Sequence, residues 1–387
     1  MSTPSANLKD QKPPLIWLNI FIFVSSLLLA LIAAPMYGYH FGFGAEHFIW
    51  LLVCFSFCSM SITAGYHRLW SHKAYQAHWS LRFIFAIGGA FALQNSILHW
   101  SSDHRIHHKH VDVNEKDPYS AKKGFWYSHI GWMIRDYHGD RYGDYTNCRD
   151  LQKDKIVMWQ HKYYGVLALI MNVGFPILLG VIHGDVIGMF LMIGAVRLVL
   201  NHHTTFFINS LAHIWGSQPY TDKNTARDSA TLAFFTFGEG YHNYHHIFEN
   251  DYRNGIAWWH YDPTKWLIKS CSWVGLTQQL RKAPQLKIEK AKAAMSLKKA
   301  QQAIETWPNK HDINTKLQLE FEALTTSMND YYALKKQLLE TKKDNMVKKY
   351  EYSVLMLRYK EIKKNLAQQT NEWNGMILNL NKKAQTL

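Results

Sequence analysis

The chain has 387 residues, 48% hydrophobic and 14% aromatic but only 19% charged, which excludes a disordered polar chain and points to a membrane protein with one large or two medium domains. Cys54, Cys58, Cys148 and Cys271 show no paired spacing outside an apolar run, which argues against a disulfide framework and a cysteine zinc site and for a reducing compartment. The net charge of +14 is lopsided: from Thr277 onward stand 21 Lys and Arg against 11 Asp and Glu, a basic tail suited to anionic lipid or an acidic protein and not, beside the apolar spans upstream, to nucleic acid.

Residues 1–14 read as a polar N-terminal segment with Lys9, Lys12 and two prolines and no cleavable leader. An apolar run from Leu15 to about Pro35 is long enough to span a bilayer. A Gly- and aromatic-rich turn (Met36–His47) and a second run, Phe48–Gly65, complete a hairpin. Tyr163–Ile182 and Val186–Phe207 form a second pair joined at His183-Gly184-Asp185, provided that Arg197 and Asn201 face the protein interior. The connections 36–47 and 183–185 carry no Lys or Arg, whereas Arg68, Lys73, Arg105, Lys109, Lys122, Lys123, Arg135, Arg141 and Lys162 crowd the rest, so the positive-inside rule puts both termini and the segment 66–162 in the cytoplasm.

The run Leu81–Leu98 is also apolar, but a crossing there would put the histidines on its two sides at opposite membrane faces. It therefore reads as an in-plane or protein-buried amphipathic helix. Beyond about Gly275 the composition turns to Lys, Gln, Ala and Leu, and two helices are expected near 286–306 and 314–383, broken at Trp307-Pro308-Asn309. Leu317, Phe321, Leu324, Met328 and Tyr331 make a short heptad seam that frays where Lys335 takes the next core slot. The expected divisions are thus 1–14, a membrane domain over 15–275 and a basic helical extension over 276–387.

Of the 22 histidines, nine fall in four groups. His242, His245 and His246 are spaced i, i+3, i+4, as are His104, His107 and His108, so each trio shares a helix face. His67 and His72 are five apart, about 140° around an ideal helix, and converge only where the helix ends or distorts. His213 follows Asn209 by four residues at the end of the last span. Nine imidazoles exceed one ion's needs and suit two, with Asn209 able to bind through a water; softness alone leaves Zn, Cu or Fe open. Gly238 and Gly240 supply backbone freedom beside the last group. The remaining histidines upstream of the tail lack the spacing, and His202 and His203, being adjacent, point apart.

The motifs His67-Arg-Leu-Trp-Ser-His72, Asp103-His104-Arg-Ile-His107-His108, Asn209-Ser-Leu-Ala-His213 and Gly238-Glu-Gly-Tyr-His-Asn-Tyr-His-His246 resemble those of the membrane fatty acyl desaturases of the stearoyl-CoA (Δ9) type, in order and spacing, over about residues 15–275. The resemblance implies an all-α membrane protein with four spans, an in-plane helix at 81–98, and a cytosolic helical cap. That cap would hold two irons (Fe2+/Fe3+) on His67, His72, His104, His107, His108, His213, His242, His245 and His246, with Asn209 reaching one through water. It implies O2 as co-substrate, electrons from a separate carrier such as a ferredoxin or cytochrome b5 with its reductase, and a cis double bond, Δ9 in position, placed in a saturated fatty acyl chain. Asn95 matches the family's thioester-side Asn, Phe206 stands where the family usually has Trp, and Phe55 and Ser59 would line the tunnel end. The family often has Arg where Ser102 precedes Asp103. Lys122, Lys123, Lys223 and Arg227 could supply that charge, so phospholipid-bound acyl chains stand beside acyl-CoA as substrate. The helical extension is of a kind that some bacterial members carry.

Three other readings compete: a membrane hydroxylase on the same metal pair, a His-rich metal transporter, and a zinc hydrolase. The transporter needs ligands along a transit path inside the spans, whereas these motifs flank them. The hydrolase needs a general base, and no Glu or Asp is placed among the motifs in a zincin pattern.

Overall fold

The computed structural model describes residues 12–139, 142–343 and 349–386; residues 1–11 of the N-terminal segment, and Arg141, lie outside them. Among the described residues four helices are long and apolar enough to cross a membrane: α1 (Trp17–Phe41), α2 (Ala45–Ser71), α5 (Lys155–His183) and α6 (Val186–His213). Between and after them come α3 (Trp79–Ala92), α4 (Ile97–His110), α7 (Ala230–Phe235), α8 (His242–Ile247) and α9 (Pro263–Trp273). Sheet among the described residues is limited to one two-stranded pair, β1 (Gln76–Ala77) against β2 (Thr277–Gln278). The protein is thus an all-helical membrane protein, as expected.

The spans are longer than the apolar runs that announce them. α1 does not stop at Pro35 but runs on to Phe41, so the turn shrinks to Gly42–Gly44. A proline inside a helix lacks its donor and crowds the carbonyl four residues back. Here the turn before it, Leu29–Ala33, winds wider, in π form. The same device, Ile170–Gly174, precedes Pro176 in α5. Widening the turn lets the chain continue past the ring.

The run 81–98 is not one helix. α3 ends at Ala92, Leu93 and Asn95 adopt left-handed backbone angles (φ 52° and 74°), and Ser96 caps α4 by accepting the His99 N–H. The two helices meet at 81°. This sharp corner, rather than a crossing, brings the histidines after it back to those before it. α3 packs on α2 through its two glycines: a Cβ at Gly89 would lie 2.1 Å from the Tyr66 ring.

The break leaves carbonyls at the end of α3 short of intrahelical partners, Ala90 O keeping the Leu93 N–H at 3.2 Å. Side chains of the spans supply them. Arg197, fully buried, donates to Phe91 O at 2.7 Å and to Asn172 Oδ1 at 2.7 Å, its guanidinium 3.9 Å from the Phe91 ring centre. Asn172 donates to Ala90 O at 3.2 Å, and His202 Nε2 lies 3.1 Å from Leu93 O. A cation at a helix C-terminus also complements the dipole. Arg197 and Asn201 face the interior, which is what lets α6 count as a span.

Residues Gln218–Asp222 and Ala283–Leu387 form a separate compact unit. Its helices are α10 (Gln285–Ala303), α11 (Lys310–Lys343) and α12 (Lys349–Thr386). The single long helix expected over 314–383 is therefore two, folded back antiparallel: Tyr331 meets Tyr359, hydroxyl to hydroxyl, at 3.0 Å, and the Phe321 and Trp373 rings are 6.2 Å apart. The seam does not fray at Lys335. Leu334 and Leu338 are buried instead, and the Lys335 ammonium lies over the Tyr331 and Tyr332 rings.

Replacing Arg197 by Met is expected to cost about 1–3 kcal/mol for each carbonyl or amide oxygen left orphaned. The check is thermal unfolding of the purified protein in detergent, where a midpoint equal to wild type would contradict this role.

Candidate metal centre

The end of α2 resolves the awkward spacing of His67 and His72. Residues Ser61–Ser71 are wound as a π-helix, and the His72 N–H bonds to His67 O at 3.1 Å. In that i→i+5 winding, residues five apart lie over one another. The two imidazole centres are accordingly 4.8 Å apart.

All nine histidines gather, in two sets. His67, His72, His104, His108 and His245 form one; His107, His213, His242 and His246 form the other. Within each set, one ring nitrogen per residue lies within 4.8 Å of the rest. The helical trios do not serve one set each. In α4 the i, i+4 pair His104 and His108 enters the first set and His107 the second, whereas in α8 the pair His242 and His246 enters the second and His245 the first. Both helices straddle the two sets, whose His108 and His246 rings stack at 4.4 Å.

The inward atoms are Nε2. His67 to His245 is 3.0 Å, His72 to His104 is 2.8 Å and His108 to His245 is 3.0 Å. His242 lies 3.1 Å from His213 and 3.0 Å from His246, which is 3.3 Å from His107. Nitrogens about 2.1 Å from one ion, at angles of 90–110°, fall about 3.0–3.4 Å apart, so these spacings are close to the edges of a coordination polyhedron.

Five of the outward nitrogens have an acceptor nearby, while Nδ1 of His242 and of His245 are buried without one. Nδ1 of His67 lies 2.8 Å from Glu239, that of His107 2.9 Å from Asp117, and that of His108 3.1 Å from Glu249. His213 Nδ1 is 2.9 Å from the Thr225 hydroxyl, whose own proton goes to Asp112 at 2.7 Å. His104 Nδ1 is 3.2 Å from the Tyr119 hydroxyl. An acceptor at Nδ1 draws the proton there and leaves a lone pair on Nε2. Lone pairs aimed at one another repel unless a cation lies between them, so the donor set fits metal ions.

Burial first, then the neighbouring imidazoles, hold His72, His104, His242, His245 and His246 well below the ordinary histidine range. His108 is pushed down to about 4, mainly by burial. These rings are therefore neutral at pH 7, the form that ligates. Burial opposes the ionisation of Glu239, but Arg68 and His67 outweigh it and bring the carboxyl to about 2.

Glu239 is itself held. Arg68 donates to it through Nη2 at 2.8 Å and Nε at 3.1 Å, and Asn254 at 2.7 Å. Arg68 also reaches Asp262 at 3.0 Å and Tyr252 O at 2.8 Å. The glycines flanking Glu239 are needed for this approach. Gly238 has φ +101°, with Asp262 Oδ1 2.5 Å from where a Cβ would stand, and a Cβ at Gly240 would meet Ala233 N at 2.2 Å.

The other expected site residues are spread out. Asn209 is the last regular residue of α6, half-buried, four before His213. Ser59 is buried and accepts from Asn201 at 3.0 Å, and Phe55 lies edge-on to Phe237 at 5.6 Å. Asn95 occupies the α3–α4 corner, where its Oδ1 accepts the Ser96 N–H at 2.8 Å. Phe206 is packed between Phe23, His129 and His202. Asp103 lies 3.4 Å from His99. Lys122, Lys223 and Lys123 are exposed, the last over the Tyr127 ring at 4.6 Å, and Arg227 donates to Gly216 O at 3.3 Å. Ser102 is buried and donates to Asn147 at 2.9 Å.

Sequence reasoning missed the outer layer of Asp112, Asp117, Tyr119, Thr225, Glu239 and Glu249. Glu239 alone had a signal, lying between two glycines within the last motif. Asp117 stands ten residues beyond His107 and fits no helical period.

The sequence profile of fatty acid desaturases matches residues 45–277, a stretch that contains both imidazole sets and ends before α10. The chain is 47% identical over 243 residues to a probable acyl-CoA desaturase of Schizosaccharomyces pombe, covering 62% of this chain and 50% of that one. It is 40% identical over 290 residues to acyl-CoA desaturase 1 of Saccharomyces cerevisiae, covering 73% and 55%. To stearoyl-CoA desaturase 5 of Bos taurus it is 33% identical over 296 residues, covering 74% and 85%. The chain thus spans about half the length of the two yeast relatives. With the matching profile extending over more than half of its residues, including every one of the nine clustered imidazoles, this chain belongs to the fatty acid desaturase family.

Proposed function

We propose that this protein is an oxidoreductase that inserts a cis double bond, at the Δ9 position, into a saturated fatty acyl chain carried as acyl-CoA. The observation that supports it most is the convergence of nine imidazoles into adjacent sets of five and four. Two irons, one per set, would when bound supply what side chains cannot, the reduction of O2 to an oxidant strong enough for an unactivated methylene C–H. The reaction balances as the loss of two hydrogens from adjacent carbons, with O2, two electrons from an external carrier and two protons giving two waters. A ferredoxin, or cytochrome b5 with its reductase, fits the carrier's role, and a basic cytoplasmic face suits such an acidic partner.

The chain's own residues would hold and orient. His67, His72, His104, His108 and His245 take one ion, His107, His213, His242 and His246 the other, and Asn209 reaches one of them through a water. Glu239, Asp117 and Glu249 fix the tautomers and the ring planes, and bring negative charge to a site whose ligands carry none. A polymethylene chain has no polar landmark, so the position of attack is set by distance between an anchored head and a closed end. Phe55 and Ser59, on the stretch of α2 that leads up to His67, are assigned to that end. Asn95 and Phe206 are assigned to the chain's path, and Asp103, Lys122 and Lys123 to the head group. Both termini and the site are assigned to the cytoplasm from the Lys and Arg distribution. Residues 1–14, 15–275 and 276–387 are taken as tail, catalytic domain and helical extension.

Expression in a host lacking its own desaturase, with double-bond positions mapped on fatty-acid methyl esters, tests the reaction; new double bonds at C9 are expected, and hydroxylated chains in their place would overturn it. His107→Ala and His245→Ala are each expected to abolish turnover, and retained turnover in either removes that residue from the ligand set. Glu239→Gln and Asp117→Asn are expected to weaken metal affinity about 10–100-fold, read as metal per protein after dialysis against a chelator; unchanged retention would rule out the positioning role. Ser59→Phe is expected to shift the products towards shorter chains, and an unchanged chain-length profile contradicts the assignment of the tunnel end.

A further inference from the structure

We infer that an aromatic tip at the end of α7, residues 234–237, is immersed in the bilayer beside α2 and anchors the segment that carries Glu239 and the α8 histidines.

Four observations lead there. Phe234 and Phe235 are 57% and 54% exposed, although the residues before them, Leu232 and Ala233, are buried. The tip is fixed against α2 by two contacts: the Phe237 ring lies 5.6 Å from that of Phe55, and Phe237 O accepts from the Thr264 hydroxyl at 2.8 Å, which lies 2.7 Å from that of Thr63.

These contacts bracket its depth. Phe55 is ten and Thr63 eighteen residues past Ala45, where α2 begins, hence about 15 and about 27 Å along the helix, which places the tip between the middle and the far edge of a hydrocarbon layer about 30 Å thick. Just before Phe55 the helix exposes Phe48, Ile49, Leu52 and Val53, the face a span turns to lipid. On the tip itself, Phe234 continues through Tyr261, at 4.9 Å, to the half-exposed Trp266, 5.5 Å from Tyr261.

Part of the tip's backbone is bonded internally, as an apolar medium, where an unpaired N–H or C=O has no water to turn to, favours. Thr236 N–H bonds to Leu232 O at 3.0 Å, Gly238 N–H to Ala233 O at 2.9 Å and Glu239 N–H to Thr236 O at 3.1 Å. The Thr236 hydroxyl is turned back to Leu232 O at 2.7 Å. Lipid is therefore the occupant that covers Phe234 and Phe235. The tip precedes Glu239 by two residues and His242 by five, so the bilayer steadies the strand of chain that feeds both imidazole sets.

The test is collision accessibility of a nitroxide on the full chain in phospholipid nanodiscs. Cys271 is changed to Ser, the other three cysteines being buried. Single labels are then placed at Phe235→Cys, at Leu52→Cys on the lipid face of α2 and at Lys153→Cys on an exposed turn, with Phe234→Cys as a second site should the first variant misfold. The expected ratio of oxygen to nickel-chelate collisions at 235 is closer to that at 52 than to that at 153. A ratio closer to that at 153, or shielding from both reagents, which marks a covering protein, overturns the inference.

Discussion

Lone-pair repulsion is the constraint from which the architecture of this protein can be read. Nine imidazoles direct Nε2 inward, with contacts of 2.8 to 3.3 Å between them and acceptors behind five of the outward nitrogens. No arrangement of imidazole hydrogen bonds satisfies five rings aimed at one centre, because each proton drawn outward leaves an uncompensated acceptor inside. A cation in each set reverses the sign of that interaction. The corner after α3, the wide winding of α2 and the straddling of α4 and α8 are ways of bringing imidazoles from distant parts of the chain to two adjacent points.

Each device costs stability locally and is offset by a buried polar group placed for it. Ending α3 at Ala92 orphans carbonyls inside the bundle, and Arg197, Asn172 and His202 meet them. Bringing the Glu239 carboxylate into a buried site carries a desolvation penalty, and Arg68, one residue from His67, meets it while being shared with Asp262. Buried charges of this kind are poor sources of net stability compared with apolar packing. Their value here is positional, since Arg68 ties the π-wound end of α2 to the loop that carries α8, which are the two elements that supply His67 and His245.

Much of this was legible in the sequence because the chemistry repeats. Four clusters with metal-ligand spacing, the spans and the interior-facing Arg197 all follow from residue type and period. What was not legible depended on departures from the ideal helix. A period of 3.6 cannot place His67 beside His72, and only the π winding does. Apolar character alone ended α1 at Pro35 and joined 81–98 into one helix, because neither a widened turn nor left-handed angles at Leu93 and Asn95 leave a mark in composition. The partition of the histidines was hidden for a related reason: a shared helix face does not say that an i, i+4 pair joins one set and its i+3 neighbour the other. The outer carboxylates were hidden because they come from loops that have no period at all.

The arrangement also ties the centre to its solvent environment. Glu239 and Asp117 are sealed from water, but Glu249, behind His108, has 44% of its side chain exposed. The five-ring set therefore has an outer carboxylate open to solvent, whereas in the four-ring set Asp117, behind His107, is enclosed and Thr225, behind His213, is half-buried. Solvent screening weakens the pull of an exposed carboxylate on the ring it faces, and a buried one acts at nearly full strength. His67, on Glu239, and His108, on Glu249, thus feel different fields although both belong to one set, and the two sets differ again in ligand number. Adjacent centres built from the same side chain are in this way electrostatically distinct, and the distinction comes from loop residues rather than from the histidines.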